Sequence, residues 1–169
     1  MKKEKEKGTL VIVDPVMGDN ALLEVQSVYS DRMLTLVDGM KKLTQIADVI
    51  TPNLTELCFL VGTDYENLIA GSEEDTYLDK IQELCQKLLY ETKKSQVVIV
   101  TGILRKKENR EYIGNLAVSN EESFYAETPY TGTGFSGTGD LFASVICGSL
   151  VKGYSIREAM KKATCFLQE

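Results

Sequence analysis

Three short apolar runs, each closing on a polar turn, constrain this chain more than any other feature of its sequence. Residues 9–13 end at Asp14-Pro15, residues 47–50 end at Thr51-Pro52-Asn53, and residues 96–100 end at Thr101-Gly102. β-Branched residues fit extended backbone, and strands that are apolar on both sides need cover on both faces. The long segments between the runs leave room for crossover helices, so the pattern predicts a parallel sheet in an α/β architecture.

Those intervening segments carry helical periodicity. Over residues 31–46, Met33, Leu36, Val37, Met40 and Leu43 recur at helical spacing; residues 54–61 suit a short helix stopped by Gly62. Over residues 77–90, Leu78, Ile81, Leu84, Cys85 and Leu88 form one stripe. Residues 112–118 and 123–126 read as antiparallel strands around a polar turn, and residues 141–151 and 156–167 as two closing helices. Residues 71–75 make a polar, acidic loop, the expected point of flexibility.

With 169 residues, 43% of them hydrophobic, the chain has material for one domain with a sizeable core. A net charge of -6 argues against a nucleic-acid surface, so any bound anion must be held locally. No run is long enough for a membrane span and the polar start lacks the apolar core of a signal peptide, leaving a cytoplasmic protein as the simplest expectation. Cys58, Cys85, Cys147 and Cys165 each sit in an apolar stretch without metal or redox spacing and are expected as reduced core residues. The absence of histidine removes Ser-His and Cys-His catalysis and most transition-metal sites.

The remaining chemistry concentrates in Gly137-Thr138-Gly139-Asp140-Leu141-Phe142-Ala143-Ser144, a glycine turn, an acid and the start of an apolar helix. Glycines there let backbone N–H groups converge on an anion, and the helix adds its unpaired amides and the positive end of its dipole. A carboxylate beside bound phosphate repels ATP but can accept a proton from an attacking hydroxyl, which suits Asp140 to a catalytic base. The competing reading makes Asp140 a helix N-cap. Asp14-Pro15-Val16-Met17-Gly18-Asp19 places two acids around a tight turn, a spacing that can face a divalent cation or simply end a strand. Asn53 and Glu56, three apart at a helix start, fit either a metal-and-phosphate site or a capping box. Ligands in open α/β sheets sit outside the carboxyl ends of the strands, so residues 14–19, 51–56, 101–102 and 137–140 are expected to share one rim.

In this order the four motifs resemble the ribokinase-like superfamily and, within it, the pyridoxal (pyridoxine, pyridoxamine) kinases. The DPVMGD and TPNLTE strings are shared with hydroxymethylpyrimidine kinases. The resemblance implies a ribokinase-like three-layer α/β sandwich with a mostly parallel sheet. It matches the later part of the family's chain, so residues 1–169 are expected to form a single partial, ATP-side domain, incomplete on its N-terminal side. Such a sheet exposes an apolar edge that favours association.

For activity, the resemblance implies ATP-dependent phosphorylation of the hydroxymethyl group of a B6 vitamin, as in vitamin salvage. Asp140 resembles the family's base, and Gly137, Thr138 and Gly139 its anion hole. Asp14, Asn53, Glu56 and Thr101 match positions at the ATP phosphates, and Asp14, Asp19, Thr51 and Glu56 match positions around the metal. Mg2+ with ATP as co-substrate, a B6 vitamin as partner and a homodimer as a common assembly follow from the same source; a monovalent-ion requirement stays open. The alternatives are a hydroxymethylpyrimidine or sugar kinase, or a truncated nucleotide-binding module without catalysis. Ser136 stands where the family often has proline, and Gly132 and Gly134 precede it.

Overall fold

The structure, a computed structural model, describes residues 9–17, 31–73, 75–92, 96–130, 132 and 137–167. Asp19 and residues 133–136 lie outside the described residues. Among the described residues five strands form one open sheet in the order β1-β2-β3-β4-β5: Ile12–Val13, Val49–Ile50, Val97–Lys107, Arg110–Val118 and Ser123–Pro129. The first three run parallel, while β3, β4 and β5 are joined antiparallel, so the sheet is mixed. Among the described residues six helices accompany them: α1 Asp31–Thr44, α2 Leu54–Val61, α3 Tyr65–Ile69, α4 Tyr77–Thr92, α5 Thr138–Val151 and α6 Ile156–Phe166.

The sheet separates two apolar layers. On one face Ile50, Val98, Val100, Ile103, Leu116 and Val118 meet Val37 of α1, Leu57 of α2 and Ile81, Cys85 and Leu88 of α4. On the other, Val49, Ile99 and Ala117 meet Phe142 and Ile146 of α5 and Ala159, Met160 and Ala163 of α6. Val49 and Ile50 therefore point to opposite layers, as the pleat requires. Each fully buried aliphatic or aromatic side chain contributes on the order of 1.5–3 kcal/mol from area burial.

Local chemistry sets the boundaries. Strands β1 and β2 are shorter than the apolar runs that contain them, and just before β1 the Asp48 carboxylate accepts the Val11 N–H at 2.8 Å. Helix α1 stops at Thr44, and the buried Gln96 amide donates to the Thr44 and Ala47 carbonyls at 2.7 and 2.6 Å. Helix α2 ends where Gly62 turns left-handed at φ 67°, its N–H on the Cys58 carbonyl. Ser155 and Glu158 form a capping box at the start of α6.

Two expectations need correction, and one helix is additional to those expected. Strand β3 does not end at Thr101-Gly102: the pair forms a register shift and the strand continues to Lys107, turning into β4 at Glu108 and Asn109, both at positive φ. Helix α3 lies in a segment with too few residues for a periodic signal, capped by Asp64 on the Glu66 N–H. Only Cys58 and Cys85 are core residues; Cys147, on the outer side of α5, and Cys165, in the last turn of α6, are exposed, and all four are free.

Helix α5 is unusual for a surface helix. Beyond Asp140 in its first turn it carries no charge, yet Leu141 is 50% and Val151 73% exposed. No described helix is long and apolar enough to cross a membrane.

Candidate functional site

The ends of β1 and β2 meet directly. The Thr51 N–H donates to the Val13 carbonyl at 3.0 Å, and the Thr51 hydroxyl donates to Asp14 Oδ1 at 2.8 Å. Thr51 is buried and Asp14 half-buried. Burial is the main cause that holds the Asp14 carboxyl above its ordinary range; the Thr51 hydrogen bond opposes this, and the nearby charge of Asp140 adds to it. Asp140 reaches this neighbourhood from α5, so the acid after β1 and the acid at the start of α5 share one electrostatic environment.

One step further along the rim, Asn53 caps α2. Its side chain accepts the Glu56 N–H at 2.9 Å, and Glu56 Oε2 accepts the Asn53 N–H at 2.9 Å. The capping box expected as one reading of this pair is therefore present. Glu56 does more than cap: its Oε1 accepts the buried Met17 N–H at 3.1 Å, fastening the segment that follows Asp14 to the start of α2. Sequence pattern carried no signal for this contact, because the Met17 partner is a backbone group. Asn53 also bridges Thr101, whose N–H donates to the Pro52 carbonyl at 2.9 Å. Asp14, Thr51, Asn53, Glu56 and Thr101 thus lie along one connected rim.

The glycine turn enters α5 with Gly137 at φ 88°, in the left-handed region that favours glycine. Helix α5 begins at Thr138, three residues before the expected start, so Gly137 occupies the cap position and Asp140 stands in the first turn. The reading of Asp140 as the N-cap is thereby corrected. By helix geometry the first-turn amides of residues 138–140 have no intrahelical partner. A Cβ at Gly137 or Gly139 would meet no heavy atom within 4 Å, which leaves open space above these amides. Asp140 is exposed.

The donor set fits a divalent cation of the magnesium kind, which takes few carboxylates and keeps water and phosphate oxygens. Asp14 supplies a carboxylate held by Thr51 and raised in pKa partly by a second acid, an arrangement that a cation relieves. Among the described residues no group of three or more His, Cys, Asp or Glu side chains gathers. Glu56 accepts one backbone N–H on each of its carboxylate oxygens.

Comparison with known proteins gives matches along the whole chain. The family described as phosphomethylpyrimidine kinase matches residues 1–169. Pyridoxine kinase of Bacillus subtilis is 31% identical over 169 residues, covering 98% of this chain and 54% of the relative. A Bacteroides thetaiotaomicron crystal structure titled as a phosphomethylpyrimidine kinase, in a form with pyridoxal, superimposes with a TM-score of 0.78 at 34% identity, covering 99% of this chain and 54% of that one. Plasmodium falciparum PdxK, with ligands AMP-PNP and PL, gives 0.65 at 25% identity, covering 94% and 49%. The chain spans about half the length of the relatives it matches.

Proposed function

Because the chain belongs to the phosphomethylpyrimidine kinase family, within the ribokinase-like fold, we propose that it forms the nucleotide-side part of an ATP-dependent kinase that phosphorylates the hydroxymethyl group of a B6 vitamin. In this reading residues 1–169 are one partial domain. The observation that carries it is the Thr51–Asp14 hydrogen bond at the ends of two parallel strands, with the charge of Asp140, at the start of α5, near enough to act on Asp14.

Each group then has a task. Asp140 accepts the proton of the attacking hydroxyl, and the amides of Gly137, Thr138 and Gly139 receive the charge of the phosphoryl group in flight. Asp14, with Thr51 holding one of its oxygens, would bind Mg2+ together with Asp19. A divalent cation there supplies charge neutralisation on the phosphate oxygens. Glu56 and Asn53 keep the rim in shape and orient water around the metal, and Thr101 presents its hydroxyl to the phosphate side. The acceptor and donor are thereby held in line, which is where most of the rate of phosphoryl transfer arises.

Support for a B6 acceptor is the pyridoxine kinase relative and the pyridoxal-bearing structure. A hydroxymethylpyrimidine acceptor is the second reading, favoured by the description of the family itself. Purified protein with magnesium and ATP should convert pyridoxal to its 5'-phosphate faster than it phosphorylates hydroxymethylpyrimidine. The opposite order of kcat/KM would exchange the two readings. Nucleotide binding without turnover of either acceptor would reduce the chain to a binding module.

A further inference from the structure

We infer that Asn115 is a positioning residue for the nucleotide side of the site, fixing the Thr101–Gly102 bulge so that the Thr101 side chain stays on the face shared with α5 and α6; this rests on the reading of Thr101 given above. Strand β3 changes parity at this point. Val98 and Val100 lie in the layer of α1, α2 and α4, and Ile99 lies in the layer of α5 and α6. Strict alternation would send residue 103 to the α5 and α6 side, yet Ile103 is in the first layer. The extra residue is absorbed where the register moves from Val100 opposite Leu116 to Ile103 opposite Gly114, which leaves Thr101 and Gly102 together facing Asn115.

The Asn115 side chain takes up what the bulge releases. Its Oδ1 accepts the Gly102 N–H at 3.4 Å, and its Nδ2 donates to Thr164 Oγ1 of α6 at 3.3 Å. Gly102 itself stands at φ 70°, a conformation that closes the bulge without side-chain strain. On its other side, residue 101 is fixed by the Pro52 carbonyl and the bridge to Asn53. Thr101 is therefore clamped between the capped start of α2 and an amide anchored on α6. Without that amide the Gly102 N–H loses its side-chain acceptor and the bulge is free to shift by one residue, which reverses the face that Thr101 presents.

Two measurements on the whole chain test this: backbone amide exchange at Gly102, and titration with Mg-ATP, each beside a thermal melt. Asn115→Leu, close in size but without polar atoms, should speed Gly102 exchange and raise the ATP Kd, each by about tenfold, the worth of a typical lost hydrogen bond. Thr164→Val should move both in the same direction, and Thr164→Ser, which keeps the hydroxyl, should restore them. A residue that only stabilises the fold would lower Tm and leave the Kd of the folded protein unchanged, and that result overturns the inference. Unchanged Gly102 exchange in Asn115→Leu also overturns it. Failure of the unaltered chain to bind Mg-ATP, with Gly102 exchange still sensitive to Asn115, would instead overturn the nucleotide reading and with it the positioning role.

Discussion

The Thr51 hydroxyl donates to the Asp14 carboxylate at 2.8 Å, joining the ends of two adjacent parallel strands with a single side-chain bond. That bond orients an acid that burial and a neighbouring acid both disfavour as an anion. The site therefore holds unrelieved negative charge where a cation and phosphates are proposed to meet.

A raised carboxyl pKa fixes the sign of a pH effect. The folded chain holds the Asp14 proton more tightly than the unfolded chain, so stability falls as pH rises from the unfolded pKa, near 3.9, through the higher folded value. Asp14→Asn, which keeps an oxygen for the Thr51 hydroxyl, should raise Tm at neutral pH and lose that advantage below the ordinary aspartate range. Melting curves across pH check this; an equal gain at every pH would contradict it.

Glu56 accepts N–H groups from Asn53 and from the buried Met17. Glu56→Ala should destabilise the fold by about 2–3 kcal/mol, one part from the lost cap and one from the stranded Met17 N–H. Urea unfolding measures the loss. Because the tether follows Asp14, the same variant should need more magnesium for half-maximal activity.

The two glycines of the α5 entrance should respond differently. Gly137→Ala forces a side chain into the left-handed region and should cost about 1–2 kcal/mol of stability. Gly139 is not at positive φ and has open space where its Cβ would stand. Gly139→Val should therefore leave stability within roughly 1 kcal/mol of the unaltered chain, since valine is no worse a helix former than glycine, while blocking anion approach and turnover. Normal turnover in that variant would contradict the anion hole.

The cysteines should separate by reactivity. Burial pushes the Cys58 thiol up to about 11, aided by the charge of Asp64, and burial pushes Cys85 further up. Cys147 and Cys165 are exposed. Maleimide at neutral pH should label Cys147 and Cys165 in the folded protein and reach Cys58 and Cys85 only on unfolding. Mass spectrometry of the labelled peptides reads the outcome, and four similar rates would contradict the packing.

Much of this arrangement is legible in the sequence where local chemistry and tertiary structure agree. Helix α2 is bounded by a capping pair and by Gly62, and both devices operate in the fold. The rim from Asp14 to Thr51 and Asn53 follows from apolar runs closing on polar turns, whereas Thr101 sits at a bulge inside β3. The continuation of β3 is not legible, because Arg105, Lys106 and Lys107 lack the apolar signal of a buried strand and are held by pairing with β4. Cys147 misleads because α5 is apolar around most of its circumference, which hides the side that faces outward. The Met17–Glu56 and Gly102–Asn115 contacts join side chains to backbone groups across the fold, and no residue spacing encodes them.

The central claim is that Asp140 takes the proton from the acceptor hydroxyl. The most direct measurement compares turnover and ATP affinity in the unaltered chain and in Asp140→Asn, with magnesium, ATP and pyridoxal. The account predicts turnover lower by on the order of 10²–10⁴, the range for a lost general base, with ATP affinity retained or slightly improved as the charge beside the phosphates is removed. Full turnover in Asp140→Asn would contradict it.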